Sequence, residues 1–199
     1  MSTEFKLIAD WIPKKSRVLD LGCGDGQLLR YLIDRHEVTG YGMELDPNKT
    51  ILAMQNGINV IQSDLNNYDL NYYFDQHSFD YVIMTQALQV VGRPDILLEQ
   101  MLTIGKNCIV TFPNFGHWRN RAQLLLRGQM PETETLPYHW YDTPNIHMCT
   151  FQDFEKLCAQ KQIEVVARTV VNRQHNSTLA MRLAPNLLGE VALYQIRRK

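Results

Sequence analysis

The stretch VLDLGCGDGQLL, Val18–Leu29, contains the transition on which the fold turns. Together with Arg17 it begins as RVLDL, a short apolar run stopping at a glycine loop, the form of a strand buried in a parallel sheet. From Gln27 to His36 the residues Leu28, Leu29, Leu32 and Ile33 recur at helical spacing and face inward. A strand passing through glycines into a helix lets backbone approach a ligand closely, with helix N–H groups pointing at it. The dinucleotide fingerprint needs glycines at its first, third and sixth positions. Here Gly22, Gly24 and Gly26 form G-x-G-x-G, and the sixth position is Gln27. That weakens a nicotinamide dehydrogenase reading. By itself, a plain strand-to-helix turn has the same pattern.

Outward from this unit the chain alternates. Upstream, a helix is predicted over Thr3–Trp11, with Phe5, Leu7, Ile8, Trp11 and Ile12 on one side and Pro13 ending it. Downstream, VTGYGME reads as the second strand. Asp46 is a good N-cap, Pro47 suits the first helical position, and Gly57 stops the helix carrying Ile51, Leu52 and Met54. INVIQ, FDYVIM and NCIVTF are strands three to five, and Pro94 opens a helix through Leu97, Leu98, Met101 and Leu102 that Gly105 closes. Thr150 caps a helix with Phe151, Phe154, Leu157 and Cys158, with Asp153 in a capping-box-like position. IEVVARTVV and VALYQIRR are the last strands, and no helix is predicted between them. The expectation is an α/β, doubly wound, mostly parallel sheet with helices on both faces, whose final strand runs antiparallel. No repeat or linker divides residues 1–199, so one domain is expected.

The bulk numbers fit that reading. In 199 residues, 45% are hydrophobic and 21% charged, a globular composition. A net charge of −1 and a pI near 6.6 give no reason to expect phosphate-driven nucleic-acid binding. The N-terminal sequence has no secretory-signal pattern and no apolar run is long enough to span a bilayer. Cys23, Cys108, Cys149 and Cys158 form no CxxC pair and no zinc-like spacing. Thiols without a disulfide framework point to a reducing compartment, and a cytoplasmic protein with no metal is expected. The four cysteines are read as structural, Cys23 contributing its backbone to the loop.

Three acids stand near the carboxyl ends of the first three strands. Asp20 immediately precedes the glycine loop, where it can order the loop or reach an ammonium group. Glu44, with Leu45 beside it, ends strand two, where a carboxylate can accept both hydroxyls of a ribose. Asp64 follows strand three, where it can accept an adenine amino proton while Leu65 lines the ring. Singly, Glu44 also reads as a solvated loop acid and Asp64 as an Asx turn or N-cap. Together they lie along the edge where doubly wound sheets bind ligands. This constellation resembles the class I S-adenosylmethionine-dependent methyltransferases over roughly the first two thirds of the chain, most specifically in LDLGCGDG. The resemblance implies a seven-stranded Rossmann-like sheet and S-adenosylmethionine or S-adenosylhomocysteine as cofactor. Its amino-acid part would lie at Gly22, Cys23 and Gly24, its ribose at Glu44, and its adenine at Asp64. Thr85, Gln86 and Gln89 follow strand four at the same edge, a loop with neutral amides where many methyltransferases carry a base.

The segment 113–149 is too long for an ordinary connection and is read as a functional insertion. It holds His117, His139 and His147, Trp118 and Trp140, and four prolines, among them Pro144. Its basic Arg119, Arg121 and Arg127 are matched by Glu132, Glu134 and Asp142, so it is no polyanion site. WRNRAQLLLRG is expected to form a short amphipathic helix and TETLPYHWYDTPN an extended loop. Aromatics with arginine are enriched at protein interfaces, and they also line small-molecule pockets. FPNFGHWRNRAQLLLRGQMP followed by LPYHWYDTPNIHMCT resembles the methionine-biosynthesis family MetW over essentially the whole chain. That resemblance implies a homoserine O-acyltransferase of the MetX type as partner and supplies no methyl acceptor. On this reading His117, Trp118, Arg121, Tyr138, His139, Trp140 and Tyr141 form the partner surface. The competing reading is an active small-molecule methyltransferase with these residues around its acceptor.

Overall fold

A computed structural model describes residues 3–67, 69–133, 136–172 and 177–199. Its elements, in order, are α1 (Thr3–Asp10), β1 (Arg17–Leu21), α2 (Gln27–His36), β2 (Thr39–Glu44), α3 (Pro47–Gln55) and β3 (Val60–Gln62). After these come β4 (Phe79–Thr85), α4 (Pro94–Ile104), β5 (Gly105–Pro113), α5 (Trp118–Arg127), α6 (Phe151–Gln160) and β6 (Ile163–Val171). The chain ends with α7 (Leu179–Leu183), α8 (Pro185–Leu188) and β7 (Val191–Arg198). Short 3-10 turns at Leu70–Tyr72 and Leu88–Val90 complete the set.

The seven strands form one sheet in the order β3-β2-β1-β4-β5-β7-β6. β1 pairs in parallel with both β2 and β4, so the strand order reverses beside it. A crevice at the carboxyl ends of such a switch point is where doubly wound sheets take ligands. β7 is antiparallel to β5 and to β6, as expected for the last strand. One detail departs from the sequence reading: α7 and α8 stand between β6 and β7. They are too short to carry a crossover, so the chain returns antiparallel beside β6.

Side chains alternate between two cores. Leu19, Leu21, Val82, Met84, Val110, Phe112 and Tyr194 pack on one face with α4 and α6. Val18, Tyr81, Ile83, Ile109 and Leu193 pack on the other with Ile8 and Ile12 and with Leu28, Leu29 and Leu32 of α2. The period of two along each strand fixes register, since a one-residue slip would exchange the faces. Two helix starts follow the predicted chemistry. Asp46 accepts from Asn48 N at 2.8 Å with Pro47 at the first turn, and Thr150 with Asp153 forms a complete capping box at the start of α6.

Candidate functional site

The glycine loop is shaped from within. Gly22 and Gly26 sit at φ +72 and +78, and a Cβ on Gly26 would come within 2.8 Å of the Ile58 side chain. Both positions therefore need glycine for conformation, and Gly26 also for space. Backbone bonds then tie the loop to β2: Gly22 N and Cys23 N both donate to Met43 O, at 2.8 and 3.0 Å. Gly24 N donates to Glu44 Oε2 at 2.8 Å. Asp25 occupies the start of α2, its carboxylate accepting from Gln27 N at 3.3 Å and Gln27 Nε2 at 2.6 Å. A pyrophosphate would meet loop amides already bonded and a carboxylate in the anion position. That argues against dinucleotide binding on physical grounds independent of Gln27.

Glu44 organises the edge of β2. Besides the bond from Gly24, its Oε1 accepts from Leu45 N at 2.9 Å and Asp46 N at 3.0 Å. A carboxylate offers about four acceptor positions. Three backbone donors thus hold Glu44 in place and leave about one position for a ligand hydroxyl. Asp20 is fully buried on β1, and its Oδ1 has no hydrogen-bond partner among the described residues. Burial, and then the nearby Glu44 carboxylate, push its pKa up to about 7. Asp64 accepts from Asn66 N at 2.9 Å and Asn67 Nδ2 at 2.6 Å, the Asx-turn geometry.

These residues border a cavity of about 540 Å³ at the carboxyl edge. Of the residues singled out from sequence, Gly22, Glu44, Leu45, Asp64, Leu65, Thr85 and Gln86 line it. Asp20, Cys23 and Gly24 are not among its lining residues. Sequence reasoning missed Lys49 and Ser63 as lining residues. Pro144 of the long segment also borders the cavity, so that segment does reach this edge. The segment is held there by Ile146 N and His147 N, both donating to Gln89 O at 2.8 and 3.0 Å, with His147 Nε2 3.1 Å from Gly92 O.

Behind the β4 loop stands an acid that no local sequence pattern places there. Glu4 of α1 is buried, accepting from Thr111 Oγ1 at 3.1 Å and from Gln86 Nε2 at 3.4 Å. Gln86 itself is held at φ +50, with its N–H shared between Thr111 O and Oγ1. A carboxylate therefore stands behind the neutral amides of the β4 loop. As an acid in the first turn of a helix, Glu4 otherwise reads as a dipole partner.

The residues expected at a partner or acceptor surface separate into two groups. His117 is buried at the start of α5, and burial lowers its pKa. Arg121 is turned back on the fold, its Nε donating to Gly116 O at 2.6 Å and its Nη2 to Asn186 O at 3.4 Å. Trp118, Tyr138, Trp140 and Tyr141 are exposed. His139 stacks on Tyr141 with centroids 5.3 Å apart and lies 2.9 Å from Glu132, which raises its pKa. Glu134 falls outside the described residues. Cys23 is buried, and Cys149 and Cys158 lie against the core. Burial pushes all three thiols up to about 12, and the wholly buried Cys108 also upward. No helix among the described residues is long and apolar enough to cross a membrane.

Comparison with known proteins fits this geometry. A curated relative from Rhodopirellula baltica, described as a bifunctional methionine biosynthesis protein MetXA/MetW, is 31% identical over 208 residues. The match takes in 100% of this chain but 33% of the relative, so the chain spans about a third of that protein's length. Among solved structures, an S-adenosylmethionine-dependent methyltransferase from Mesorhizobium loti superposes with TM-score 0.70 at 17% identity, covering 98% of this chain and 97% of its own. A TehB-like S-adenosylmethionine-dependent methyltransferase from Corynebacterium glutamicum gives TM-score 0.63 at 15% identity, covering 100% and 89%. At those identities the likeness establishes the fold, that of class I methyltransferases. The family profile described as methionine biosynthesis protein MetW matches residues 2–196, and with the fused relative this places the chain in the MetW family.

Proposed function

We propose that this chain binds S-adenosylmethionine or S-adenosylhomocysteine in the cavity at the carboxyl edge, and associates with a MetX-type homoserine O-acyltransferase to support or regulate it in methionine biosynthesis. The observation that carries the reading is the cavity itself. It joins Gly22, Glu44 and Asp64 at the switch point with Pro144 of the segment on which the MetW resemblance rests. Its volume of about 540 Å³ suits a nucleoside-sized ligand. Among the described residues that line it, Glu44 and Asp64 outnumber the one cation, Lys49, and favour a cationic ligand; S-adenosylmethionine carries both a sulfonium and an ammonium. The partner reading is supported by the bifunctional relative, in which MetXA and MetW are joined.

A second reading, methyl transfer to a small acceptor, is favoured by Glu4, whose buried carboxylate accepts from the cavity-lining Gln86. Methyl transfer depends chiefly on alignment of acceptor, methyl and sulfonium, so it does not demand a base on the lining. Calorimetric titration of the purified chain with each cofactor form, and then with the acyltransferase, tests the proposal. Saturable binding of both kinds is expected. No heat with either cofactor form would refute the site, and cofactor binding without association would bring the methyltransferase reading forward.

A further inference from the structure

α5 is built unlike the other long helices. Its sequence WRNRAQLLLR gives ten residues, of which only Asn120 is buried. Its attachments are polar and concentrated at its first turns. Asn120 Nδ2 donates to Phe115 O at 3.1 Å, Thr133 Oγ1 donates to Asn120 Oδ1 at 3.3 Å, and Arg121 reaches Gly116 and Asn186. Its last turns carry Leu124, Leu125 and Leu126, with Leu125 at 85% and Leu126 at 81% exposure. Trp118, Ala122 and Leu125 follow i, i+4, i+7 spacing and so share one face. A ten-residue helix is marginal in water by itself, and helices gain most of their stability by packing an apolar face. Here the apolar face is turned outward.

The charge on α5 narrows what can cover it. Arg119, Arg121 and Arg127 are its charged residues, and it carries no acid. Two copies meeting face to face through a two-fold axis would bring like charges together. A groove that is apolar at its centre and acidic at its border complements the helix instead. The fused relative aligns with 100% of this chain, α5 included, in a protein that also carries a MetXA part. We propose that the Leu125–Leu126 face of α5 is the surface on which the homoserine O-acyltransferase docks, in an apolar groove bordered by carboxylates. The inference rests on the partner reading above and moves the contact from Arg121 and His117, which the fold uses internally, to the exposed leucines.

The test is titration of the acyltransferase from the same organism with the wild-type chain, with Leu125→Glu/Leu126→Glu, and with the milder Leu125→Gln. Both variants should keep the wild-type circular dichroism spectrum and S-adenosylmethionine affinity, because these side chains are exposed and lie outside the cavity. Association should weaken about thirtyfold or more in the double variant, the size of a central anchor's loss, and by a smaller, measurable factor in Leu125→Gln. Equal binding by wild type and both variants would overturn the docking face and leave the partner reading standing. No association of the wild-type chain would overturn both. Two further results would also overturn the proposal. In one, sedimentation shows the substitutions abolishing self-association of this chain while acyltransferase binding stays unchanged. In the other, they abolish only binding to phosphatidylglycerol vesicles.

Discussion

Replacing Asp20 by asparagine is expected to change how stability depends on pH, because the buried carboxyl titrates in the wrong range for an ordinary aspartate. Its pKa rises from 3.8 to about 7, first through burial and second through Glu44. An acid whose folded pKa exceeds its unfolded value binds more protons in the folded state between the two. Stability then falls as pH rises from about 4 to about 7 and is level above that range. Integrated between pH 5 and pH 8, the wild-type chain should lose roughly 2–3 kcal/mol that the Asp20→Asn chain retains. Asparagine has nearly the same shape and cannot ionise, so it mimics the protonated acid. The assay is urea unfolding of both chains at several pH values, read as the difference between them so that every shared titration cancels. A difference that stays constant with pH would refute the reasoning. Saturating S-adenosylmethionine should flatten the wild-type slope if its ammonium reaches Asp20, and calorimetry in buffers of different ionisation enthalpy would detect the proton released.

Glu44→Ala removes the acceptor of three backbone N–H groups and should cost about 3 kcal/mol in unfolding free energy. It should also weaken cofactor binding tenfold or more; unchanged cofactor affinity in both Glu44→Ala and Asp64→Ala would sink the site assignment. Cys23, Cys149 and Cys158, held near pKa 12, should resist iodoacetamide at pH 7.5 until the chain unfolds, and rapid labelling of the native protein would contradict their structural reading. Cys149→Ser should leave cofactor binding intact by calorimetry. Thr150→Ala breaks the capping box of α6 and should lower stability by about 1 kcal/mol in urea unfolding, with no change expected in cofactor affinity.

What could be read from sequence was what local chemistry determines. RVLDL running into three glycines gave β1, the loop and α2, because the apolar period changes from buried strand to helix across one turn. Asp46 with Pro47 and Thr150 with Asp153 marked helix starts because each satisfies backbone N–H groups within its own few residues. Glu44 was placed at the cavity for the same reason, as the last residue of a predicted strand. Its occupied carboxylate was not visible, since Gly24 donates from another element. Glu4 was out of reach of any local rule: its partners Gln86 and Thr111 lie 82 and 107 residues away. α7 and α8 were missed because helices of five and four residues leave too short a period to recognise, although Thr178 caps α7 by accepting from Met181 N.

The long segment is set apart by where it is fastened. At its start, Asn114 Nδ2 donates to Gly189 O at 2.8 Å, buried beside α8. At its end, Ile146 and His147 hang on the backbone oxygen of Gln89, one turn from the cavity-lining Gln86. α5 lies between these two fixed points, with the polar Asn120 as its one buried residue and its leucines exposed. The same segment contributes Pro144 to the cavity wall. A ligand in the cavity would meet Pro144 and a partner on α5 would cover Leu125, two points of the same segment. If binding at one end restricts that stretch, binding at the other must be favoured by the same factor, since linkage is reciprocal. On the proposed function, such coupling would let cofactor occupancy bear on acyltransferase association with no catalytic step.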